Sequence, residues 1–292
     1  MTSSIQLAPA GVQDFEAPAG RVSGEGTAGL DVLDDVTRRE RLAKMRTGEL
    51  GSVHSWELVT AVDGPGTRMT VFFNGCPLRC QYCHNPDTFL MRNGEPVLAD
   101  SLLHRMKRYR RLFKTTGGGI TLSGGECLMQ PKFLARILRG AKAMGIHTAL
   151  DTSGFLGKNL DEEMLANTDM VLLDVKSGSE EKYREVTGRA LQPTIDFGDR
   201  LCEAGVEVWI RFVLVPGLTD DSENIHNVAK IVTRWRSNVT RMEVLPFHQM
   251  ARDKWDSLGL EYKLRDVKPP SNEAVEQARD IFRSYDLPTP SF

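Results

Sequence analysis

The sequence predicts an α/β fold of about six parallel βα units, arranged as an open or partial parallel β/α barrel. Across most of the 292 residues, short apolar runs alternate with amphipathic segments that have a helical period. Strands that alternate with helices in this way pair in parallel through right-handed crossovers. Six such strands are fewer than the eight of a complete barrel, so we expect the sheet to stay open.

The predicted strands are short runs rich in β-branched, aromatic or other large apolar residues, which suit a buried parallel sheet. A loosely alternating segment at 54–62 predicts an additional edge strand, followed by a turn whose two glycines flank a proline at 63–66. The parallel strands are predicted at 69–73, 120–122, 147–150, 170–175, 206–215 and 241–245.

The predicted helices repeat apolar residues every three or four positions. In 102–114, apolar residues lie at 102, 103, 106, 109, 112 and 113, and most of the other positions carry arginine or lysine: Arg105, Lys107, Arg108, Arg110 and Arg111. This basic face predicts either a solvated helix surface or a docking site for an acidic partner. The other predicted helices are 130–144, 161–166, 194–204, 222–236 and 271–285.

The folded domain is predicted to span 52–292, with 1–51 as an N-terminal extension. The first 30 or so residues are rich in Ala, Gly, Ser, Pro and acidic residues and have no apolar period, which is typical of disordered chain. Residues 31–50 carry Leu33, Val36, Leu42 and Met45 at roughly helical spacing, so a short surface helix is expected there.

Composition excludes several classes of partner. A net charge of −2 argues against attraction to nucleic acid or to anionic membranes. No segment approaches the roughly 20 apolar residues of a membrane span, and the N-terminus has no secretion signal. We therefore expect a cytoplasmic protein, monomeric, in a reducing compartment where clustered cysteines more often bind metal or catalyse than form disulfides.

The unusual sequence features all follow predicted strands. Because the carboxyl ends of parallel strands carry the ligand site in such sheets, six loops are expected to converge on one pocket. They are the cysteine loop after Phe73, the Ser-Gly-Gly-Glu run at 123–126, the Asp-Thr-Ser-Gly run at 151–154, Lys176, Pro216 with Gly217, and the Pro-Phe-His run at 246–248.

Three of the five cysteines, Cys76, Cys80 and Cys83, fall within eight residues. Zinc could use them with His84 as a fourth ligand, but structural zinc sites usually pair two short knuckles and no second knuckle is present. Covalent haem attachment fits the spacing from Cys80 to His84, yet it usually needs export. A redox pair of Cys80 and Cys83 would leave Cys76 unexplained.

An iron–sulfur cluster explains all three cysteines. A cubane of four irons bound by three thiolates leaves one iron with an open position, which suits it to hold a substrate. The absence of a fourth cysteine in the loop then becomes evidence for function. Cys127 and Cys202 are not needed as ligands, and Cys127 is interpreted as a tolerated small side chain.

The spacing Cys-x-x-x-Cys-x-x-Cys, with an aromatic residue before the third cysteine, resembles the signature of radical S-adenosylmethionine enzymes. Among these the sequence resembles the activating enzymes of glycyl-radical enzymes, in particular the branch that activates pyruvate formate-lyase. The likeness extends from about residue 52 to the C-terminus. It is carried by motifs at 63–68, 82–85, 117–126, 145–155, 173–176, 208–212 and 267–270.

The resemblance implies a mechanism. One 4Fe–4S cluster, held by Cys76, Cys80 and Cys83, would bind S-adenosylmethionine and cleave it reductively, and the resulting 5′-deoxyadenosyl radical would take hydrogen from a backbone glycine of the partner enzyme. The protein would supply orientation and exclude competing donors.

The resemblance also assigns roles by position. Gly124 and Gly125 would let the backbone approach the cofactor closely, and Glu126 would accept from its ammonium group. Oxygen ligands for a monovalent cation would come from Asp151, Thr152 and Asp174. Further cofactor contacts are expected from Tyr82, Asn85, Lys176, Arg211 and His248, and contacts with the protein substrate from Asp63, Arg68 and His84.

The sequence also favours a branch of the family. Many relatives carry a ferredoxin-like insertion with more cysteines after the first loop, but residues 85–117 contain none. This favours the pyruvate formate-lyase branch, a single cluster, and flavodoxin or ferredoxin as an external electron donor. The alternatives are an activator of a different glycyl-radical enzyme, or a zinc- or haem-binding module without catalysis.

Overall fold

A single eight-stranded sheet organises the chain. The computed structural model describes residues 26–33, 37–60 and 62–291. The strand order is β3-β1-β2-β4-β5-β6-β7-β8, in which β2 and β4 to β8 run parallel and β1 pairs antiparallel with both β2 and β3. The strands are β1 Leu50–Thr60, β2 Arg68–Phe73, β3 Glu95–Leu98, β4 Gly119–Gly124, β5 His147–Thr152, β6 Met170–Asp174, β7 Glu207–Leu214 and β8 Val239–Pro246.

The six parallel strands are those predicted, and since β3 and β8 end the sheet it is an open barrel, as expected. Ten α-helices occur in the described part of the chain. They are α1 Arg38–Thr47, α2 Ala99–Arg108, α3 Arg110–Thr116, α4 Pro131–Ala143, α5 Glu162–Ala166, α6 Glu180–Thr187, α7 Gln192–Glu203, α8 Ser222–Thr233, α9 Arg252–Ser257 and α10 Asn272–Ser284. None of them combines the length and apolar character that crossing a bilayer requires.

The elements differ from expectation in a few places. The single helix predicted over 102–114 is two helices, because Tyr109 leaves the helical conformation with ψ near 3°. The sequence analysis missed β3, α6 and α9, which have four, eight and six residues. Elements this short carry too few periodic positions to be recognised by pattern alone.

The core lies between the sheet and the helices that cover its outer face. Strand β4 is buried along nearly its whole length, with Ile120 and Leu122 fully enclosed. Packing is close enough to restrict residue size: a Cβ on Gly198 of α7 would lie 2.2 Å from the buried indole of Trp235. The helices therefore hold the strand ends in fixed positions, as a site built on loops requires.

Both edges of the sheet carry bonds from terminal segments. At the β3 edge, Val32 bridges to Val97 and Leu30 is buried in the core, while Trp56 Nε1 donates to Ala28 O at 3.0 Å. At the other edge, Met242 N of β8 donates to Pro288 O at 2.9 Å.

The described part of the N-terminal region contains the helix α1. Helix α1 has a capping box in which Thr37 and Glu40 bond each other's backbone. The predicted disordered tail falls largely on residues 1–25, which lie outside the described residues. The domain boundary at residue 52 stays a prediction; β1 begins two residues earlier, at Leu50.

Candidate active site

A cavity of about 580 Å³ opens at the carboxyl ends of the parallel strands. The loops after β2, β4, β5, β6 and β8 line it, and β7 contributes the inward-facing Trp209, Arg211 and Val213 from its own length. Pro216 and Gly217, expected here, do not line the cavity. The Thr219 hydroxyl closes that turn by accepting from Val215 N at 2.8 Å and donating to Val213 O at 2.7 Å.

Most of the predicted site residues line this one cavity. Glu126 and Arg68 do not, and are described below. The residues brought together are Asp63, Cys76, Cys80, Tyr82, Cys83, His84, Asn85, Gly124, Gly125, Asp151, Thr152, Asp174, Lys176, Arg211 and His248.

The three clustered cysteines are all free thiols at the cavity wall, whereas Cys127 and Cys202 are not among its lining residues. Their loop is anchored to α6, where Gln81 N donates to Val186 O at 3.0 Å. Burial raises the pKa of all three thiols, to about 12 for Cys83. Such thiols become stable thiolates only when a cation or metal centre compensates the charge.

The donor set fits an iron–sulfur cluster better than one metal ion. Within the described residues, no three His, Cys, Asp or Glu side chains are grouped closely enough to hold a single ion. A cubane does not need that grouping, since each of its cysteines binds a different iron. The backbone at Leu78 and at Asn85 lowers the pKa of the Cys76 and Cys83 thiols, but burial outweighs this effect.

Gly124, the last residue of β4, and Gly125 bring that strand close to the end of β2 and the start of the cysteine loop. Gly124 has φ of 121°, and a Cβ there would lie 2.1 Å from Phe73 N. A Cβ on Gly125 would lie 2.6 Å from Gly75 O. Glycine is therefore required by the close approach of the two loops, with Glu126 N donating to Gly75 O at 2.9 Å.

The Glu126 side chain is turned away from the cavity and is only 2% exposed. Its carboxylate accepts from the Thr152 hydroxyl and the Ser153 hydroxyl, both at 2.6 Å, and from Leu128 N at 3.2 Å. It thereby fixes the loop after β5. A contact between Glu126 and a cofactor ammonium group would require the carboxylate to release one of these donors.

Arg211 is the centre of a buried charge network. Its guanidinium lies 3.0 Å from Asp151, 3.1 Å from Asp63 and 3.7 Å from Glu243, and all four side chains are at most 15% exposed. Burial raises the pKa of Asp151 to about 6, although Arg211 and the Ser123 hydroxyl favour its ionised form. Glu243 also pairs with Arg241 at 2.7 Å, so three carboxylates meet two guanidiniums and the network carries surplus negative charge.

A second pair lies beside the cysteines. Lys176 Nζ donates to Asp174 at 2.9 Å and lies 5.6 Å from the ring centre of Tyr82. Burial alone would lower the pKa of Lys176, but Asp174, Tyr82 and Cys80 outweigh it and hold that pKa above its usual range. The buried Tyr82 hydroxyl has no hydrogen-bond partner among the described residues, so it is available to a ligand.

Two histidines meet at the mouth of the cavity. The rings of His84 and His248 are 4.1 Å apart. Desolvation lowers the pKa of both histidines, and the neighbouring His248 lowers the pKa of His84 further. Both rings are therefore neutral near pH 7. Within the described chain His248 Nδ1 is buried without a partner, which leaves it free to bond a ligand.

The position of Arg68 differs from expectation. The side chain is fully buried under β4, where it donates to Thr121 Oγ1 at 2.6 Å, to Pro65 O at 3.2 Å and to Ile120 O. It supports the turn that carries Asp63. A direct contact between Arg68 and a protein substrate is not available in this arrangement, because strands and turn enclose the guanidinium.

The predicted cation ligands lie close together but are already bonded. Asp151 pairs with Arg211, the Thr152 hydroxyl donates to Glu126, and Asp174 accepts from Lys176. A cation among these oxygens would compete with those partners.

Sequence analysis missed several cavity residues on β7 and β8. Trp209, Arg241 and Glu243 line the wall, and Arg211 and Glu243 are paired across the two strands. Side chains alternate between the two faces of a strand, so residues two positions from Arg211, such as Trp209, could have been predicted to face the same side as Arg211.

Comparison with known proteins places the chain in a family. Residues 70–229 match the Radical SAM superfamily. The chain is 47% identical over 224 residues to a pyruvate formate-lyase-activating enzyme of Clostridium pasteurianum, covering 77% of this chain and 93% of that protein. It is 40% identical over 238 residues to pyruvate formate-lyase 1-activating enzyme of Escherichia coli K12, covering 81% and 96%.

The fold is found in solved structures as well. A radical SAM methyltransferase of Sphaerobacter thermophilus aligns with a TM-score of 0.58 at 17% identity, covering 90% of this chain and 76% of that one. A domain of a pyruvate-formate lyase-activating enzyme of Bacteroides vulgatus aligns with a TM-score of 0.50 at 26% identity, covering 60% and 98%. With its cysteine loop, open parallel sheet and lengthwise similarity to these relatives, the chain belongs to the radical SAM superfamily and, within it, to the pyruvate formate-lyase-activating enzymes.

Proposed function

We propose that the protein activates pyruvate formate-lyase by forming a radical on a backbone glycine of that enzyme. The observation that carries the proposal is the set of three free cysteines at the wall of a cavity that Cys127 and Cys202 do not line. The family implies a 4Fe–4S cluster and S-adenosylmethionine. When bound, these groups supply the electron transfer and bond cleavage that yield a 5′-deoxyadenosyl radical.

Cys76, Cys80 and Cys83 are proposed as the protein ligands of one cluster. The backbone at Leu78 and at Asn85 favours the ionised form of the first and third cysteine. The apolar side chains around the loop, among them Leu78 and Phe89, exclude water from that side.

The cationic groups favour an anionic end of the cofactor. Arg211 and Lys176 are held ionised by their carboxylate neighbours, and both line the cavity, so the carboxylate of S-adenosylmethionine is expected on their side. The Tyr82 hydroxyl and His248 Nδ1 are buried groups that a bound nucleoside could satisfy. A monovalent cation at Asp151, Thr152 and Asp174 would balance the surplus negative charge of the Arg211 network.

The protein substrate would enter at the mouth of the cavity. Asp63 and His84 line this opening, and the adjacent Val62 is 72% exposed. Hydrogen-atom transfer from the glycine leaves 5′-deoxyadenosine and a glycyl radical, so the residues here need only hold the partner's backbone in place. Asp63 and His84 are suited to orient backbone groups through hydrogen bonds.

Flavodoxin or ferredoxin is proposed as the electron donor, with the protein acting as a monomer. The basic helices α2 and α3 were considered as a docking site. None of their residues lines the cavity, and Arg105 is occupied by Gly29 O and by the ring of Trp56, at 5.0 Å. This geometry favours the interpretation of α2 and α3 as a solvated helix surface.

The proposal is tested on protein purified without oxygen. Iron and sulfide close to four each per chain are expected, following the composition of a cubane. Cys76→Ala, Cys80→Ala and Cys83→Ala should each lose iron, while the matched control Cys202→Ala keeps it. Cys127→Ala should also keep its iron. A colourless protein that binds zinc would refute the radical chemistry.

Activity is measured by electron paramagnetic resonance after incubating the reduced protein with S-adenosylmethionine and pyruvate formate-lyase. A glycyl radical signal is expected, and it should be absent when S-adenosylmethionine is omitted. A signal with a different glycyl-radical enzyme, and none with pyruvate formate-lyase, would assign the protein to another partner.

A further inference from the structure

Residues 247–267, which we call the α9 segment, cover the outer side of the cysteine loop. Phe247, Ala251, Trp255, Tyr262 and Leu264 of this segment are buried in one cluster with Leu78, Cys80, Tyr82 and Phe89. The segment is closed on itself, because Gln249 Nε2 donates to Arg265 O at 2.7 Å and to Val267 O at 2.6 Å. It therefore packs against the loop as a fixed unit.

One side chain of α9, Trp255, contacts the third cysteine of the loop. Trp255 Nε1 donates to the backbone oxygen of Cys83 at 3.0 Å, and its ring meets Phe89 edge-on at 5.9 Å between centroids. Trp255 is also stacked on Tyr262 at 5.4 Å. The indole thus has a fixed orientation, and its N–H fixes the position of the Cys83 peptide.

Lys254 binds two residues of the turn after Cys83, namely Asn85 and Asp87. Its Nζ donates to Asn85 Oδ1 at 3.0 Å and lies 3.1 Å from Asp87. Asp87 is bonded on its other side to His54 of β1 at 2.8 Å. Lys254 therefore holds two side chains of the turn that follows Cys83.

These contacts coincide with the factors that set the reduction potential of an iron–sulfur cluster: hydrogen bonds to the sulfurs, nearby charge and exposure to solvent. Residues behind metal ligands commonly orient them in this manner. We infer that Lys254 and Trp255 are positioning residues that hold the Cys83–Asp87 turn and thereby raise the reduction potential of the cluster. The inference rests on the proposed cluster at Cys76, Cys80 and Cys83.

The direction of the effect follows from charge. Reduction adds an electron, so a cation close to Cys83 favours the reduced cluster and its removal lowers the potential. Lys254→Met keeps the packing of the aliphatic stem but removes the charge and the bond to Asn85. Trp255→Phe keeps an aromatic ring but removes the N–H donor. Arg252→Met is the matched control, since Arg252 is exposed on the same helix.

The test is an anaerobic redox titration of each holoprotein, with the reduced cluster followed by electron paramagnetic resonance. For Lys254→Met, the ratio of reduced to oxidised cluster at a fixed solution potential should fall about three- to tenfold, and a tenfold fall is roughly 59 mV for one electron. Trp255→Phe should shift the ratio in the same direction and release iron faster to a chelator. Arg252→Met should match the wild type.

The outcomes separate this inference from the proposed function. A midpoint for Lys254→Met equal to that of Arg252→Met, with full iron content, would overturn the positioning role and leave the proposed function intact. Iron loss in Lys254→Met and Trp255→Phe, with an unchanged midpoint in the clusters that remain, would show that α9 only stabilises the cluster. That result would also overturn the positioning role. Wild-type protein without iron would refute the cluster itself.

Discussion

Replacing Arg211 with methionine should destabilise the protein strongly, and more at high pH than at low pH. The guanidinium faces Asp63, Asp151 and Glu243, all buried, within 3.0–3.7 Å. Removing one member of a buried ion pair typically costs about 3–5 kcal/mol, because the partner charge is left without compensation. For a domain of this size that corresponds to a fall in melting temperature of about 10 °C.

The pH dependence follows from the carboxylates. Burial already raises the pKa of Asp151 to about 6, above its value in the unfolded chain, and loss of the guanidinium raises it further. The folded variant then holds a proton that the unfolded chain has released, so its stability falls as pH rises from about 4 through the folded pKa. Each further pKa unit is worth about 1.4 kcal/mol at pH above both values.

Thermal unfolding at pH 5.5, 7 and 8.5 would measure this effect for wild type and Arg211→Met. The control is Arg139→Met, which removes an arginine from an exposed pair with Glu163, in which both side chains are more than half exposed. That control should leave the melting temperature unchanged. If Arg211→Met melts like Arg139→Met, or loses more stability at pH 5.5 than at 8.5, the description of the Arg211 network is wrong.

Three other changes test the packing around the site. Gly124→Ala should cost on the order of 4 kcal/mol or prevent folding, because the new Cβ would lie 2.1 Å from Phe73 N; soluble yield and circular dichroism would show it. Gln130→Leu removes a buried amide that bonds the β1 backbone at 2.7 Å on both sides, and should lower the urea unfolding free energy by about 1–3 kcal/mol for each group left unpaired. Deleting residues 1–33 exposes Trp56 and the β3 edge, so the melting temperature should fall and aggregation, followed by light scattering, should rise.

Matched substitutions elsewhere in the protein are controls for these changes. Gly188→Ala adds a Cβ with nothing within 4 Å, although its φ of 73° also favours glycine. It should cost much less than Gly124→Ala. Gln192→Leu removes an exposed amide of α7 and should leave the unfolding free energy unchanged. An unaltered melting temperature after deletion of 1–33 would support a domain boundary near residue 52.

The sequence predicted the parallel part of the fold well, because β6 begins as a continuous apolar run, β7 alternates between buried and half-buried positions, and the covering helices have apolar faces. The cysteine loop and the polar strand ends were equally visible, since a parallel sheet brings these ends to one edge. By contrast, β3 and α9 are short and irregular in sequence, and they are recognised only through contacts with distant residues: β3 with β1, and Trp255 with Cys83.

The direction of single side chains was the hardest part to predict. Glu126 follows two glycines at the cavity, yet its carboxylate turns inward because hydroxyl and N–H groups from Thr152, Ser153 and Leu128 converge on it. Arg68 is a second example, because its guanidinium is enclosed beneath β4, where it donates to Thr121 Oγ1 and Ile120 O. Such choices depend on three-dimensional neighbours that are far away in the chain.

The covered edges of the sheet limit how another protein can be recognised. Strand addition, in which an extended peptide joins the free edge of a sheet, is a common way to bind a partner chain. Here Val32 occupies the β3 edge and Pro288 the β8 edge, so a visiting peptide would first have to displace a segment of the protein itself. Under the proposed function, we therefore expect an extended glycine loop of the partner at the cavity mouth, where side chains and not strand pairing would select it.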